Sequence, residues 1–346
     1  MKRTYLISSL LLLVAVASSA QVLRAKESAL VYYMPKTQLT IELTYERISQ
    51  QPGVFYQYAQ RYLGSDDVIT QSATTYRVTN IQLGTCAVAD TSRVFKVPAH
   101  TMHNLHLLTL SHDGRLLGYN CHDLSVPQAA SHNHIHFDST PQPSILPLLE
   151  EQFMAGSIAK MAEGAAKLIY HIRDTRMHLL AGDVEHMPAD GQSLQVVLDQ
   201  LAQQEQQLVA LFVGATHTTT CRHTIYYTPD TDISNLVIAR FSKFAGVVDS
   251  DDLSGEPIYL SLLAYRQVLQ EPAEPLSKRG LPAHIYYNLP GSADVTISYQ
   301  GREIEQHLAV AQLGCAVPLS NLLFIGKPKF SIKFNPETGN IIAIQQ

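Results

Sequence analysis

The chain has 346 residues, of which 46% are apolar and 16% charged, so it is long and apolar enough to bury substantial cores and is not a disordered protein. Its length suggests about two domains. A surplus of acidic over basic residues, 30 against 25 for a net charge of −5, argues against nucleic acid or an anionic membrane surface as main partner.

Residues 1–20 read as a secretory signal peptide. Lys2 and Arg3 form a charged start, Leu6 to Ala17 an apolar stretch, and Ser18-Ser19-Ala20 the small residues of a cleavage site. The expected product is exported, periplasmic or associated with the outer membrane. No later apolar run reaches the roughly 18 residues of a membrane-spanning helix. An exported protein meets oxidising conditions, where the four cysteines could pair.

The segment 21–126 reads as a β module. Val31-Tyr32-Tyr33-Met34-Pro35 leads into Leu39-Thr40-Ile41-Glu42-Leu43, whose alternation predicts a strand with one buried face. Phe55, Tyr58, Ala59 and Tyr62 fit one side of a short helix ending at Gly64. Gln82-Leu83-Gly84-Thr85-Cys86-Ala87-Val88 follows. Leu105 to Leu110 then turns at Asp113-Gly114 into Leu116-Leu117, a hairpin signal. Residues 127–144 form a His/Pro-rich linker.

A helical hairpin is predicted over 145–214. Its first helix runs from about Leu146 to Ala181, with Met154, Ile158, Met161, Ala165, Leu168 and Ile172 as a heptad-like seam. Ala155, Ala159, Ala162 and Ala166 make a parallel stripe of small residues. At 1.5 Å per residue the helix would span about 54 Å. The second helix runs from about Gly191 to Val213, with Asp190 as N-cap and Gly214 as the stop. Leu194, Leu198, Leu201, Leu208 and Phe212 form its seam, interrupted by Glu205.

Residues 215–278 return to strands, with alternation over Thr218 to Tyr227 and apolar runs at Leu236 to Phe241 and Ile258 to Leu262. The segment 279–346 repeats the order of the first module. Ile285-Tyr286-Tyr287-Asn288-Leu289-Pro290 leads to a strand, then Gln312-Leu313-Gly314-Cys315-Ala316-Val317, then a hairpin turning at Thr338-Gly339. The expected fold class is therefore α+β, with two related β-rich modules flanking a long antiparallel helical hairpin.

These residues carry a resemblance to a known family. Met34-Pro35-Lys36-Thr37, Tyr58-Ala59-Gln60-Arg61-Tyr62-Leu63-Gly64, Phe153-Met154-Ala155-Gly156-Ser157 and Leu179-Leu180-Ala181-Gly182 belong to the pattern. So do Pro188-Ala189-Asp190-Gly191, Asp251-Asp252-Leu253-Ser254-Gly255 and Asn335-Pro336-Glu337-Thr338-Gly339. Together they resemble DUF4831, a domain of unknown function in secreted proteins of Bacteroidota. The resemblance spans nearly the whole mature chain and implies an envelope protein. It implies no active site.

Three constellations carry chemistry. His132, His134 and His136 alternate, so on a strand three imidazoles could meet one Zn²⁺ or Cu²⁺, with His122 or Asp138 completing the set; a solvated linker is the competing reading. Asp249, Asp251, Asp252 and Glu256 are dense enough to hold Ca²⁺, although acidic turns are common between strands. Cys121 and Cys221 bracket the hairpin and are candidates for a bridge. Cys86 and Cys315 occupy matching places in the repeat. Four free thiols are the alternative. No GxSxG, HExxH, P-loop or GxGxxG is present, and no cofactor is expected. The expected role is a non-enzymatic scaffold that binds envelope proteins through the hairpin. A glycan- or peptide-binding module using exposed tyrosines is the alternative, and an unrecognised hydrolase a second.

Overall fold

The computed structural model describes residues 29–98, 105–121, 156–184, 190–267, 285–319 and 330–346. Strand β1 (Ala29–Gln51) and strand β2 (Ala73–Pro98) form a long antiparallel hairpin; its connection carries the short helix α1 (Ala59–Leu63). Strands β3 (Leu108–Leu110) and β4 (Leu116–Tyr119) follow. Helices α2 (Ile158–Ala181) and α3 (Gly191–Val213) come next, and strand β5 (Ala215–Tyr227) then pairs with β1. Strands β6 (Ile233–Ser242), β7 (Gly246–Val248), β8 (Glu256–Tyr265), β9 (Ile285–Tyr299) and β10 (Arg302–Leu319) form a second sheet. Strands β11 (Ser331–Phe334) and β12 (Ile341–Gln345) close the chain. The sheet orders are β2-β1-β5, β10-β9-β8-β6-β7 and β12-β11-β4-β3.

The first two sheets pack face to face, as alternation along their strands demands. Leu39, Ile41, Leu43 and Tyr45 of β1 meet Ile258, Leu260 and Leu262 of β8 and Val295 and Ile297 of β9 in one core. Tyr45 and Phe241 stack edge to face at 5.5 Å. The four-stranded sheet joins the last hairpin of each β region through the β4–β11 pair. It covers a second core of Tyr32, Met34, Tyr119, Ile285, Ile332 and Phe334. Residues of both β regions contribute to each of these cores, and strands of the segment 215–278 are divided between two sheets.

Two bulges meet where these sheets converge. Tyr33 lies opposite Val94 but Met34 opposite Asp90, so Thr91, Ser92 and Arg93 bulge out of β2. Gly291 lies opposite Val310 but Leu289 opposite Cys315, so Ala311 to Gly314 bulge out of β10. Arg93 reaches across from the first bulge and donates to Asn288 Oδ1 at 2.7 Å and to the Ala311 carbonyl at 3.3 Å. Asn288 is fully buried, and its Nδ2 donates to the carbonyls of Ala311 (2.9 Å) and Thr338 (2.7 Å). Its own N–H bonds the Gly339 carbonyl.

Gln312, freed by the second bulge, finishes the edge of β1 beyond the end of β5. Its Oε1 accepts from the Thr37 N–H at 2.8 Å, and its Nε2 donates to the carbonyls of Thr37 (2.9 Å) and Pro229 (2.8 Å). A side-chain amide therefore replaces the missing strand, and these buried backbone groups stay paired.

The register also separates the two QLG-Cys segments. Gln82 and Cys86 lie in regular ladder opposite Glu42 and Gln38, whereas Gln312 to Gly314 form the bulge itself. Their similar spelling does not correspond to an equivalent position.

The helical pair forms where expected, with one correction. Rather than running unbroken from Leu146, helix α2 starts at Ile158. Gly156 has φ 70°, Ser157 is extended, and Ser157 Oγ accepts from the Lys160 N–H at 3.3 Å. Gly-Ser supplies the helix-starting cap there. The 24 residues of α2 give about 36 Å. Gly182 and Gly64 are left-handed stops and Asp190 caps α3, as the sequence predicts.

Of the Ala stripe, Ala162 and Ala166 are buried, together with Ala165 of the seam, in a cluster with Phe55, Ala59 and the α3 residues Leu208, Leu211 and Phe212; Ala159 is half-buried and Ala155 lies outside the described residues. Among the described residues no helix is long and apolar enough to cross a membrane.

Asn288→Ala removes the Arg93 guanidinium's bond to Asn288 Oδ1 and the Asn288 Nδ2 bonds to the Ala311 and Thr338 carbonyls, and we expect a loss of about 2–4 kcal/mol in urea unfolding. A loss below 0.5 kcal/mol would show that the junction is dispensable. His223, on the inner side of β5, has its pKa lowered by burial. The unfolded chain then takes up a proton first as pH falls. Its contribution is present above about pH 6.5 and lost as pH falls through the folded value. His223→Gln should flatten the fall of Tm between pH 7 and 5.

Candidate functional site

His132, His134 and His136 lie outside the described residues, as do His122 and Asp138. Of the carboxylates at 249–256, Asp251 and Asp252 serve the local turn and Glu256 reaches a distant one. Asp252 Oδ1 accepts from the Ser254 N–H at 2.9 Å, Asp251 from Ser250 Oγ at 3.0 Å, and Glu256 bonds Gln300. Arg240 ties the same loop by donating to the carbonyls of Ser250 and Gly255. Among the described residues no group of three or more His, Cys, Asp or Glu is placed to hold a metal.

The four cysteines are free thiols in the structure. Cys221, on the inner face of β5, is buried in the core between the two large sheets, and Cys121 follows β4, its Sγ 3.2 Å from the Ile332 carbonyl. Burial pushes the thiols of Cys86 and Cys221 up, which keeps them protonated and weakly nucleophilic.

Two features remain that the fold does not use up. The first is the helical hairpin. Its base is fixed tightly: Phe55 and Phe212 rings lie 5.4 Å apart, and the Phe55 N–H bonds the Leu211 carbonyl at 2.7 Å. Gly53 presses so closely on Leu211 that a Cβ would fall 2.3 Å from its carbonyl oxygen. Tyr170 donates to the Tyr62 carbonyl at 2.8 Å, holding α1 on α2. Midway along, Glu205 turns into the helix interface and accepts from Arg173 Nε (2.7 Å) and Arg176 (2.5 Å). These bonds hold its pKa below the usual carboxylate value. The residue that interrupts the α3 seam is thus the hairpin's clasp. Beyond it, toward the tip, Met177 (67%), Leu180 (63%), Val196 and Val197 stand exposed.

The second feature is the outer face of the five-stranded sheet. Asp294 on β9 accepts from the Tyr265 hydroxyl at 2.7 Å and lies 2.6 Å from His307 Nδ1. Those bonds lower the pKa of Asp294, and the bond to Asp294 raises that of Tyr265. The trio sits beside an open cavity of about 470 Å³ lined by Asp232, Ser234, Ser261, Leu263, Asp294 and Thr296. No single motif marks it, because the residues come from three strands.

The family model of a domain of unknown function, DUF4831, matches residues 28–342. The chain belongs to that family. No curated protein and no solved structure matches. Several family-like residues of this DUF4831 protein are turns and caps. Gly64 and Gly182 end helices, Ser157 and Asp190 start them, and Asn335 to Gly339 form the turn that bonds Asn288. Thr37 Oγ1 accepts from the Ala311 N–H at 2.9 Å.

Breaking the clasp should loosen the hairpin alone. Glu205→Gln should cost about 1–3 kcal/mol and speed amide exchange in α2 and α3 while β1 and β9 stay protected. Equal acceleration in all four elements would contradict a local role.

Proposed function

We propose that this DUF4831 protein is a non-enzymatic scaffold of the cell envelope, holding a protein partner on the end of its helical hairpin. One observation carries the reading: the hairpin is braced at its base and clasped in the middle, yet among the described residues four apolar side chains toward its far end stand exposed. A rigid arm with an apolar end suits docking, because its ordering cost is met before the partner arrives. The start of the chain supports export, since Lys2-Arg3 precedes an apolar run and small residues.

We also read the two β regions as copies of one ancestral unit. Each is a long antiparallel hairpin with a multi-residue bulge, followed by a short hairpin with a left-handed glycine at its turn, Gly114 or Gly339. The two short hairpins meet centrally through β4 and β11.

Crosslinking of the tagged full chain in native envelopes tests the scaffold reading. We expect one stoichiometric protein partner joined through residues 158–213, lost in the double variant Leu180→Glu, Val197→Glu while the circular dichroism spectrum and Tm stay unchanged. Crosslinks that survive this variant, or none at all, would overturn the assignment of the arm.

A further inference from the structure

We infer that the outer face of the five-stranded sheet binds a neutral oligosaccharide chain, in the cavity between β6 and β9 with Tyr265 and Tyr259 at its two ends. The cavity has a structural cause. The ladder between β6 and β8 slips between Ile233 and Leu236, and Asn235 adopts φ 50°, a left-handed conformation unusual for a non-glycine residue. Ser261 stabilises that kink, accepting from the Asn235 N–H at 3.0 Å and donating to its Oδ1 at 3.3 Å. The slip opens the sheet surface instead of leaving a flat ladder.

The chemistry around the opening is that of a sugar subsite. Saccharides present apolar C–H faces ringed by hydroxyls, so they are bound by an aromatic ring beside fixed acceptors and donors. Tyr265 is 45% exposed and Leu263 52% exposed, while the Tyr265 hydroxyl is anchored on Asp294. The ring is therefore held in place while remaining accessible, and the His307 ring lies 6.1 Å from it. Asp232, Asp294, Ser261 and Thr296 supply the polar edge. Asp232 is oriented too, its Oδ1 accepting from the Ala264 N–H at 2.7 Å.

Charge and spacing narrow the ligand. Thr296 and Asp294 pair across the ladder with Glu305 and His307, and Ser298 with Glu303. Side chains alternate along a strand, so Glu303, Glu305, Asp294 and His307 share this face. Carboxylates dominate it, which disfavours anionic glycans and phosphorylated ligands. Tyr259 and Tyr265 are six positions apart on β8 and point the same way, a separation of about 20 Å. That span fits a chain of several sugar rings rather than a monosaccharide. His307 brings a base and its orienting carboxylate together, but among the described residues no hydroxyl or thiol bonds its ring. The geometry assigns recognition rather than cleavage.

The test is calorimetric titration of the full mature chain with maltohexaose, cellohexaose, chitohexaose and laminarihexaose as probes. We expect saturable one-site binding to at least one of them. Tyr265→Ala and Asp294→Ala should each weaken it tenfold or more, while Tyr265→Phe, which keeps the ring, should weaken it less. Tyr226→Ala, an exposed tyrosine on the other large sheet, should leave it unchanged. Each variant is compared at equal Tm, and the exposed positions make misfolding a small concern. Binding to none of the probes, or binding insensitive to Tyr265 and Asp294, would overturn the assignment. Loss of protein crosslinks at the hairpin has no bearing on this outcome, so the two readings fail separately.

Discussion

The buried amide of Asn288 and the guanidinium that Arg93 brings from the β2 bulge fix how this chain is assembled. Asn288 has no solvent contact, and its side chain bonds two bulges and a turn from three parts of the sequence. Burial lowers the pKa of Arg93, as it must for a cation withdrawn from water, and the guanidinium holds its place through Asn288 Oδ1 and the Ala311 carbonyl. A polar group in such a site is costly unless every partner is present. The two bulged hairpins therefore have one relative position at which the junction is satisfied. The turn at Gly339 belongs to the same fit: a Cβ there would lie 2.9 Å from Asn288 Cβ and from Pro35 Cγ.

From that junction the rest of the layout follows. With β1 and β9 held in register, their alternating apolar residues close one core between two sheets, and the short hairpins close a second. The outer faces and the helical arm are left to vary without disturbing either core. Both surfaces with functional promise lie there, the apolar end of the arm and the polar opening made by the β6 slip. The placement obeys the usual economy of scaffolds, in which rigid layers hold sites at their margins.

Local signals in the sequence mark the turns and caps of the fold, whereas its long-range contacts leave no local mark. Ser157, Asp190, Gly64 and Gly182 act through neighbours three or four residues away, so spacing alone exposes them, and Asp113-Gly114 likewise marks a real turn. The family-like pattern was legible for the same reason. Asn288 and Arg93 are 195 positions apart, and nothing in either local sequence announces the bond. The similar spelling around Cys86 and Cys315 misled in the opposite direction, because bulges shift register without leaving a motif. Glu205 looked like a flaw in a seam and is a clasp; its partners at positions 173 and 176 were visible, but which face of α3 they meet depends on helix rotation. The Tyr265, Asp294 and His307 trio needed three strands in register before it could be seen.

The central claim is that the β regions form one cooperative body locked at Asn288, with the helical arm as a separate, weaker unit. Native-state hydrogen exchange of the full chain across a urea series tests it most directly. The account predicts that amides of β1, β9 and β8 converge on a single opening free energy, while α2 and α3 open at a lower one. Separate opening of β1 and β9 at well-resolved free energies would contradict it.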